Sequence, residues 1–277
     1  MSGILYLVGT PIGNLSDFSP RAVAALEEVD FIAAEDTRVS LKLLNHFGIK
    51  KPLVSYHQHN YITAGPVILD RLLSGESCAL VTDAGTPAIS DPGEDLVRLW
   101  AERGIPVTRI PGCCAAVTAL TLSGLPTGRF TFEGFLSTAK KSRREHLESL
   151  KKEQRTMIFY EAPHKLLSTL EDMADTFGPD RSISLCRELT KLHEEVVRTT
   201  LGEAVAKYTE TPPKGEFVLI VAGAEPVARE VPTETDAAAR VTQLIEEGLS
   251  RKDAVKQTAK ELGLPKNVVY DIALKDE

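Results

Sequence analysis

Short apolar runs that do not alternate recur along this chain, with amphipathic stretches filling the gaps between them. A strand covered on both faces reads as a continuous apolar run, whereas a half-exposed strand alternates. Gly3–Val8 is such a run, and Phe31–Ala34, Leu53–Tyr56, Cys78–Thr82 and Val107–Ile110 repeat it. Helical patterns separate them. Arg21–Glu28 follows Ser19-Pro20, a cap residue and a proline at the first helical position. Val39–Phe47 ends at Gly48, Ile62–Ser74 follows, and a helix from about Pro92 to Arg103 precedes the fifth strand. This βα repeat restricts the chain to an α/β fold with a mainly parallel sheet and helices on both faces.

The helix beginning near Cys114 stops before Gly124-Leu125-Pro126-Thr127-Gly128, which marks a boundary between α/β domains spanning 1–124 and 125–225. The second again reads as a mainly parallel α/β unit. Strands are expected at Phe130–Glu133, Thr156–Tyr160, Ser182–Arg187 and Glu216–Ala222. Helices are expected at Lys140–Glu153, Leu166–Phe177 and Leu201–Tyr208. Pro226 and Pro232 lie in a linker. Residues 234–277 form a small helical domain, with helices at Ala237–Glu247, Lys252–Leu262 capped by Ser250, and Lys266–Leu274. The turn Gly263-Leu264-Pro265 gives this tail a helix-turn-helix pattern. A dimer clasp or a packing module fits the same pattern.

Charge and cysteine usage narrow the function classes. Thirty-two basic residues against 39 acidic ones give a net charge of −7, so no global positive field draws the chain to a polyanion. The four cysteines, Cys78, Cys113, Cys114 and Cys186, have neither zinc-ligand spacing nor a disulfide framework. No metal site is expected. No apolar run reaches the roughly 18 residues of a membrane span, and the amino terminus reads as a strand rather than a leader. The expectation is a cytoplasmic protein with reduced thiols and no membrane partner.

Ligands of open parallel sheets bind at the carboxyl ends of the strands. Three loops there are built for close approach: Gly9–Asn14, Thr82–Gly93, and Pro111–Ala115 leading into a helix. None matches G-x-G-x-x-G or G-x-x-x-x-G-K-[ST], so a phosphate-cradling nucleotide site loses support. Any one loop alone reads equally as an ordinary turn. Three after successive strands favour a small-molecule site.

Seven ordered segments carry a resemblance: YLVGTPIGNLSDFSPRA (6–22), EDTR (35–38), VTDAGTPAISDPG (81–93), IPGCCAA (110–116), IFYEAPHK (158–165), RELTKLHEE (187–195) and KGEF (214–217). Together they resemble the tetrapyrrole-methylase-type family of S-adenosylmethionine-dependent methyltransferases. Within it they resemble the branch that methylates a cytidine ribose 2′-hydroxyl in 16S rRNA of the small ribosomal subunit. The resemblance implies two α/β domains, S-adenosylmethionine in the cleft between them, and a homodimer. It carries the family's cofactor contacts onto Pro11, onto Ala84, Gly85 and Thr86 with Ile89, and onto Cys114 and Ala115. Tyr160, Glu161, Leu189 and Thr190 complete the pocket. Tetrapyrrole enzymes read Gly-Asp-Pro in the second loop, whereas this chain has Gly85-Thr86-Pro87, a departure that fits the rRNA branch.

Residue chemistry adds candidates. A ribose hydroxyl is a poor nucleophile, and a general base adds roughly 10²–10⁴ in rate. Asp17, Glu35, Asp36, Asp83, Glu161, Glu188, His57, His59 and Lys191 fall on expected loops, where caps and ion pairs are the ordinary use of such groups. Glu35 and Asp36, directly after a strand and followed by Arg38, are the first choice for a catalytic role. For RNA, residues 137–155 carry seven Lys or Arg against three Glu. Lys140, Lys141, Arg143 and Arg144 are the expected RNA-binding rail, although a solvated helix face would carry the same charges. Two other readings stay open. One is a small-molecule methyltransferase of the tetrapyrrole kind. The other is a binding module with a metabolite-sensing body and a DNA-reading tail; the tail's seven basic residues against nine acidic ones weigh against it.

Overall fold

The computed structural model describes residues 3–90, 93–225 and 233–275. The start of the expected helix at Pro92 and most of the expected linker, 226–232, lie outside the described residues. The chain divides into two compact units, 1–224 and 225–277.

In the larger unit, the first layer alternates β1 (Leu5–Val8), α1 (Pro20–Glu28), β2 (Phe31–Ala34), α2 (Thr37–His46), β3 (Leu53–Ser55), α3 (Tyr61–Leu73), β4 (Cys78–Val81), α4 (Glu94–Glu102) and β5 (Val107–Ile110). Its sheet runs β3-β2-β4-β1-β5, with every pair parallel. Successive side chains leave opposite faces of a strand, and both faces are covered. Leu5, Leu7, Phe31 and Leu80 pack with Ile68, Leu72, Leu96 and Trp100 from α3 and α4. Val8, Ile32, Ala34 and Val81 pack with Ala22, Leu26 and Leu44 from α1 and α2. The expected Ser19 cap is present, its hydroxyl accepting from the Ala22 N–H at 3.1 Å.

The second layer comprises α5 (Ala115–Ser123), β6 (Phe130–Phe135), α6 (Lys140–Ser149), β7 (Thr156–Glu161), α7 (Pro163–Phe177), β8 (Ser182–Arg187), β9 (Glu195–Thr200), α8 (Leu201–Glu210) and β10 (Phe217–Val221). The strand order is β6-β7-β10-β8-β9. Here the structure departs from the expected parallel pattern. Only β6 and β7 pair in parallel; β7–β10, β10–β8 and β8–β9 are antiparallel. The cause is β9, which the sequence reading did not predict. Its β-branched residues follow a charged segment that hides their pattern, and the short 188–194 connection turns β8 and β9 into a hairpin, which only antiparallel strands permit.

Helix α5, read from sequence as the end of the first domain, packs on the second sheet. Ala116, Ala119 and Leu120 bury against Ile158, Cys186, Val218 and Ile220. The other face of that sheet carries Met157, Phe159, Leu185 and Leu219 under α6, α7 and α8. By packing, the chain leaves the first layer after β5.

The smaller unit contains α9 (Glu234–Glu246), α10 (Arg251–Leu262) and α11 (Lys266–Lys275). Val241, Leu244, Ala254, Val255, Val269 and Ala273 form its core. Ser250 caps α10 by accepting from the Asp253 N–H at 3.2 Å, and Gly263 ends it in the left-handed region at φ 65°.

Candidate functional site

Strands β4, β1 and β5 are neighbours, so the three glycine-bearing loops emerge side by side at their carboxyl ends. Hydrogen bonds pin them together. The Thr10 N–H donates to the Gly85 carbonyl at 2.8 Å, and the Gly85 N–H returns a bond to the Thr10 carbonyl at 3.2 Å. Thr86 Oγ1 donates to the Cys113 carbonyl and accepts from Arg109, both at 2.9 Å. The hydroxyl at the position where tetrapyrrole enzymes carry aspartate thus ties the second loop to the third. Gly85 sits at φ 86°, and a Cβ there would lie 3.3 Å from Ile12. The position combines a left-handed backbone with a crowded neighbour.

The second layer closes over these loops. A Cβ on Gly13 would fall 2.5 Å from Lys191 Cγ and 2.9 Å from Thr190 Oγ1, so only glycine lets the first loop lie on the β8–β9 connection. That connection is firmly built. Lys191 Nζ bonds Glu188 and Glu216, each at 2.9 Å, while the Thr190 N–H donates to Glu194 at 2.6 Å. Among the described residues, the non-glycine positions at positive φ are Ala88, Ser90, Glu188 and Thr190. Ala88 and Ser90 lie in the second loop, Glu188 and Thr190 at and after the end of β8, and strain of this kind persists only where surroundings over-determine the backbone.

Between the layers is a cavity of about 500 Å³, within the range of small-molecule sites. Ile12, Glu35, Asp83, Ala84, Gly85, Thr86, Ile89, Ser90, Cys114 and Ala115 line it from the first loops and α5. Phe135, Tyr160, Glu161, Ala162, Pro163, Cys186, Leu189, Glu216, Phe217 and Val218 line it from the second layer. Among the described residues, Glu35, Asp83, Glu161 and Glu216 are the carboxylates of the lining, and none of the lining residues is Lys, Arg or His. Tyr160 is held between Phe132 and Phe135, and its hydroxyl accepts from the Ala116 N–H of α5 at 3.1 Å.

The carboxylates differ in state. Burial pushes the Glu35 carboxyl above the ordinary range, and the charge of Asp83 adds to the shift against a hydrogen bond from the Asp83 backbone. Burial raises Asp83 likewise. Glu161 is committed internally: one oxygen takes the Ala162 N–H at 2.9 Å and lies 3.2 Å from Lys165 Nζ, and the other takes the Thr169 hydroxyl at 2.6 Å. Backbone donation from Glu216, with help from Lys191, holds Glu188 below the ordinary range. Burial raises the thiols of Cys113 and Cys186.

Comparison with known proteins agrees with this architecture. Residues 4–205 match the family described as Tetrapyrrole (Corrin/Porphyrin) Methylases, and residues 231–277 match the RsmI C-terminal HTH domain. A Synechocystis protein named Ribosomal RNA small subunit methyltransferase I is 50% identical over 275 residues, covering 99% of each chain. The protein of the same name from Halalkalibacterium halodurans is 52% identical, covering 98% of this chain and 94% of its own. The chain belongs to the ribosomal RNA small subunit methyltransferase I family. Solved structures share the fold: uroporphyrin-III-C-methyltransferase from Thermus thermophilus at 23% identity, TM-score 0.56, covering 79% of this chain and 94% of that one. Diphthine synthase does so at 17% identity and TM-score 0.60, covering 80% and 90%. Membership of this methyltransferase family makes the chain an enzyme, which removes the reading of a non-catalytic sensor.

For a methyltransferase of this family, the sequence reading located much of the cavity wall. Ala84, Gly85, Thr86, Ile89, Cys114, Ala115, Tyr160, Glu161 and Leu189 all line it, as does Glu35. Pro11 does not; its neighbour Ile12 does. Asp36 and Arg38 also stand outside the lining. Asp36 caps α2 by accepting from the Arg38 N–H at 2.8 Å and pairs with the Arg38 guanidinium at 2.6 Å. That pairing holds the Asp36 carboxyl far below its ordinary range. The two residues build a local cap at the start of α2. Cys186, Glu216, Phe217 and Val218 were missed, although Glu216 and Phe217 end the KGEF segment and Phe217 opens β10.

Arg143 is a correction. It is buried on α6 with its guanidinium 2.6 Å from Asp172, and Arg144 bonds the other Asp172 oxygen at 2.7 Å. Arg143 has no free face for a phosphate, and Arg144 is half-committed; Lys140 and Lys141 are exposed. No helix among the described residues is long and apolar enough to cross a membrane. No group of three His, Cys, Asp or Glu side chains stands at metal-holding spacing among them.

Proposed function

We propose that the chain transfers the methyl group of S-adenosylmethionine to the ribose 2′-hydroxyl of a cytidine in 16S rRNA of the small ribosomal subunit. The observation that carries this reading is the cavity wall, where Glu35 and Asp83 stand beside two further carboxylates already paired with lysines, in a chain about 50% identical to an rRNA small subunit methyltransferase over its whole length. Such a wall suits a cationic ligand and repels a phosphorylated one. The residues present fit the cofactor. Ile12, Ile89, Leu189 and Phe217 offer apolar surface for an adenosine, Ala84, Thr86 and Ala115 offer backbone donors and acceptors, and Gly85, its own backbone bonded to Thr10, puts no side chain in the way. Asp83 and Glu35 would face its positive centres.

S-adenosylmethionine supplies an electrophilic methyl on a positive sulfur. The protein's own work is to hold the hydroxyl in line with that methyl, which accounts for most of the gain in such transfers, and to accept its proton. Glu35 is the proton acceptor in this reading. It lines the cavity, and burial makes it more basic than an ordinary glutamate, against the charge of His57 nearby. Its neighbours Asp36 and Arg38 keep the β2–α2 turn rigid. Lys140 and Lys141, with the open side of Arg144, meet RNA phosphates beside α6. The family resemblance supports a homodimer working in the cytoplasm.

Incubating the purified protein with small subunits from a strain lacking the gene and methyl-labelled S-adenosylmethionine tests the reading. Nuclease digestion and mass spectrometry should yield one 2′-O-methylcytidine. Label on a base, or none, would refute it.

A further inference from the structure

Three lysines of the tail stand in one line. Lys252, Lys256 and Lys260 occupy every fourth position of α10, are exposed, and form no hydrogen bond or ion pair among the described residues. Each step of four residues advances about 6 Å and turns the helix only about 40°, so the three ammonium groups form a stripe roughly 12 Å long. The opposite side of α10 is already used: Ala254, Val255, Thr258 and Ala259 are buried, with α9 and α11 supplying Val241, Leu244 and Val269 to the same core.

The acids of α10 do not neutralise the stripe. Asp253 accepts from the Ser250 hydroxyl at 2.5 Å at the helix cap. Glu261 is held by Arg240 at 2.8 Å and by Gln257 at 2.8 Å. Like charges four apart destabilise a helix, and this small domain has acidic residues to spare on α9. An arrangement that opposes the helix's own stability, while its acids are engaged elsewhere, fits an external polyanion.

We infer that the Lys252–Lys256–Lys260 stripe of α10 is a surface that grips the phosphodiester backbone of the RNA substrate. The proposal rests on the rRNA reading above. Its ligand class follows from the neighbouring helix as well as from the charge. On α11, Lys266, Asn267 and Tyr270 are exposed at positions that share one face, a cation, an amide and a ring of the kinds that meet phosphate, base edge and base face. A membrane-surface helix would instead expose its apolar face, and that of α10 is buried.

The experiment uses the full chain with K252E/K256E/K260E and, separately, K252Q/K256Q/K260Q, and a small-subunit rRNA transcript as the probe. Binding is followed by fluorescence anisotropy from low to high salt. Both variants should keep their circular dichroism and S-adenosylmethionine affinity. The glutamine variant should weaken RNA binding about 10-fold or more at low salt and lower the log–log salt slope by about 2, since each phosphate contact contributes roughly 0.7–0.9. The glutamate variant should weaken binding further. Unchanged affinity and slope in the glutamine variant overturn the proposal, as does tighter binding of duplex DNA than of RNA by the unaltered chain. If the unaltered chain binds RNA through the stripe without methylating it, the rRNA-methylation reading fails and the stripe stands. If it methylates rRNA and the stripe variants bind normally, the reverse holds.

Discussion

Asp83 donates its backbone N–H to Glu35 Oε2 at 3.4 Å, across the gap between the neighbouring strands β4 and β2. The Asp36 N–H in turn donates to Asp83 Oδ1 at 3.1 Å. Two carboxyls raised above their ordinary range therefore share one rim of the cavity, each accepting a backbone N–H from the other strand's loop. Glu35→Gln keeps the shape and removes the base. Turnover should fall by about 10²–10⁴, with cofactor affinity changed only slightly. In the parent enzyme, the acid limb of the kcat–pH profile should lie above the ordinary glutamate range, and the variant's residual activity should lack it. A variant that retains both rate and limb would remove Glu35 from the chemistry.

The same burial has a stability consequence of defined sign. A carboxyl raised in the folded state binds protons more tightly there than in the unfolded chain. Its favourable contribution is complete below the ordinary value of 4.5 and is lost as pH rises through the folded value. Glu35→Gln should therefore resist urea better than the parent at pH 7, and the two should converge near pH 4. A less stable variant at pH 7 would show that the charged form is favoured by contacts the cavity does not display.

Much of this site was legible in the sequence, and for local reasons. Gly85, Ala115 and Glu35 each sit within a few residues of a strand end that apolar runs announce, and a parallel sheet sends all such ends to one side. The failures are those where the partner is distant in sequence. Arg143 looked like a surface charge because nothing near it reveals Asp172, its buried partner on α7. Asp36 and Arg38 looked catalytic because a cap and a reactive carboxylate use the same residue types after a strand. β9 was hidden because the charged residues before it, which clamp Lys191 and Thr190, mask a strand whose register only β8 defines.

Gly85 tests the placement of the cofactor. Its φ of 86° disfavours any side chain, and Ile12 already crowds the direction a Cβ would take. Gly85→Trp should abolish measurable S-adenosylmethionine binding by calorimetry while circular dichroism stays that of the parent. Unchanged affinity in a folded variant would move the ligand elsewhere.

Lys191 links the two layers, because it carries the surface on which Gly13 lies and bonds both Glu188 and Glu216. Lys191→Met retains much of the stem that packs on Gly13 but frees both carboxylates. Cofactor binding should weaken several-fold, with a smaller change in kcat, since Glu216 loses its orientation while Glu35 is untouched. Lys191→Arg should recover part of the affinity. Equal loss in both variants would assign the effect to packing rather than to the ion pairs.

The basic segment of α6 separates into structural and RNA-facing charges. Asp172 feels opposing effects: burial pushes its carboxyl up, and the guanidiniums of Arg144 and Arg143 outweigh it, leaving the group below its ordinary range. Removing one member of a buried pair costs about 3–5 kcal/mol where the other charge is left uncompensated; Arg144 stays on Asp172 at 2.7 Å, so the loss of Arg143 falls below that range. Arg143→Ala should still lower the urea midpoint, and the folded fraction should bind RNA as the parent does. Lys140→Glu with Lys141→Glu should do the opposite, leaving the midpoint within the small change expected of surface positions while weakening RNA binding and flattening its salt dependence. If the double variant bound RNA normally at low salt, α6 would be a solvated face and its lysines no part of the substrate path.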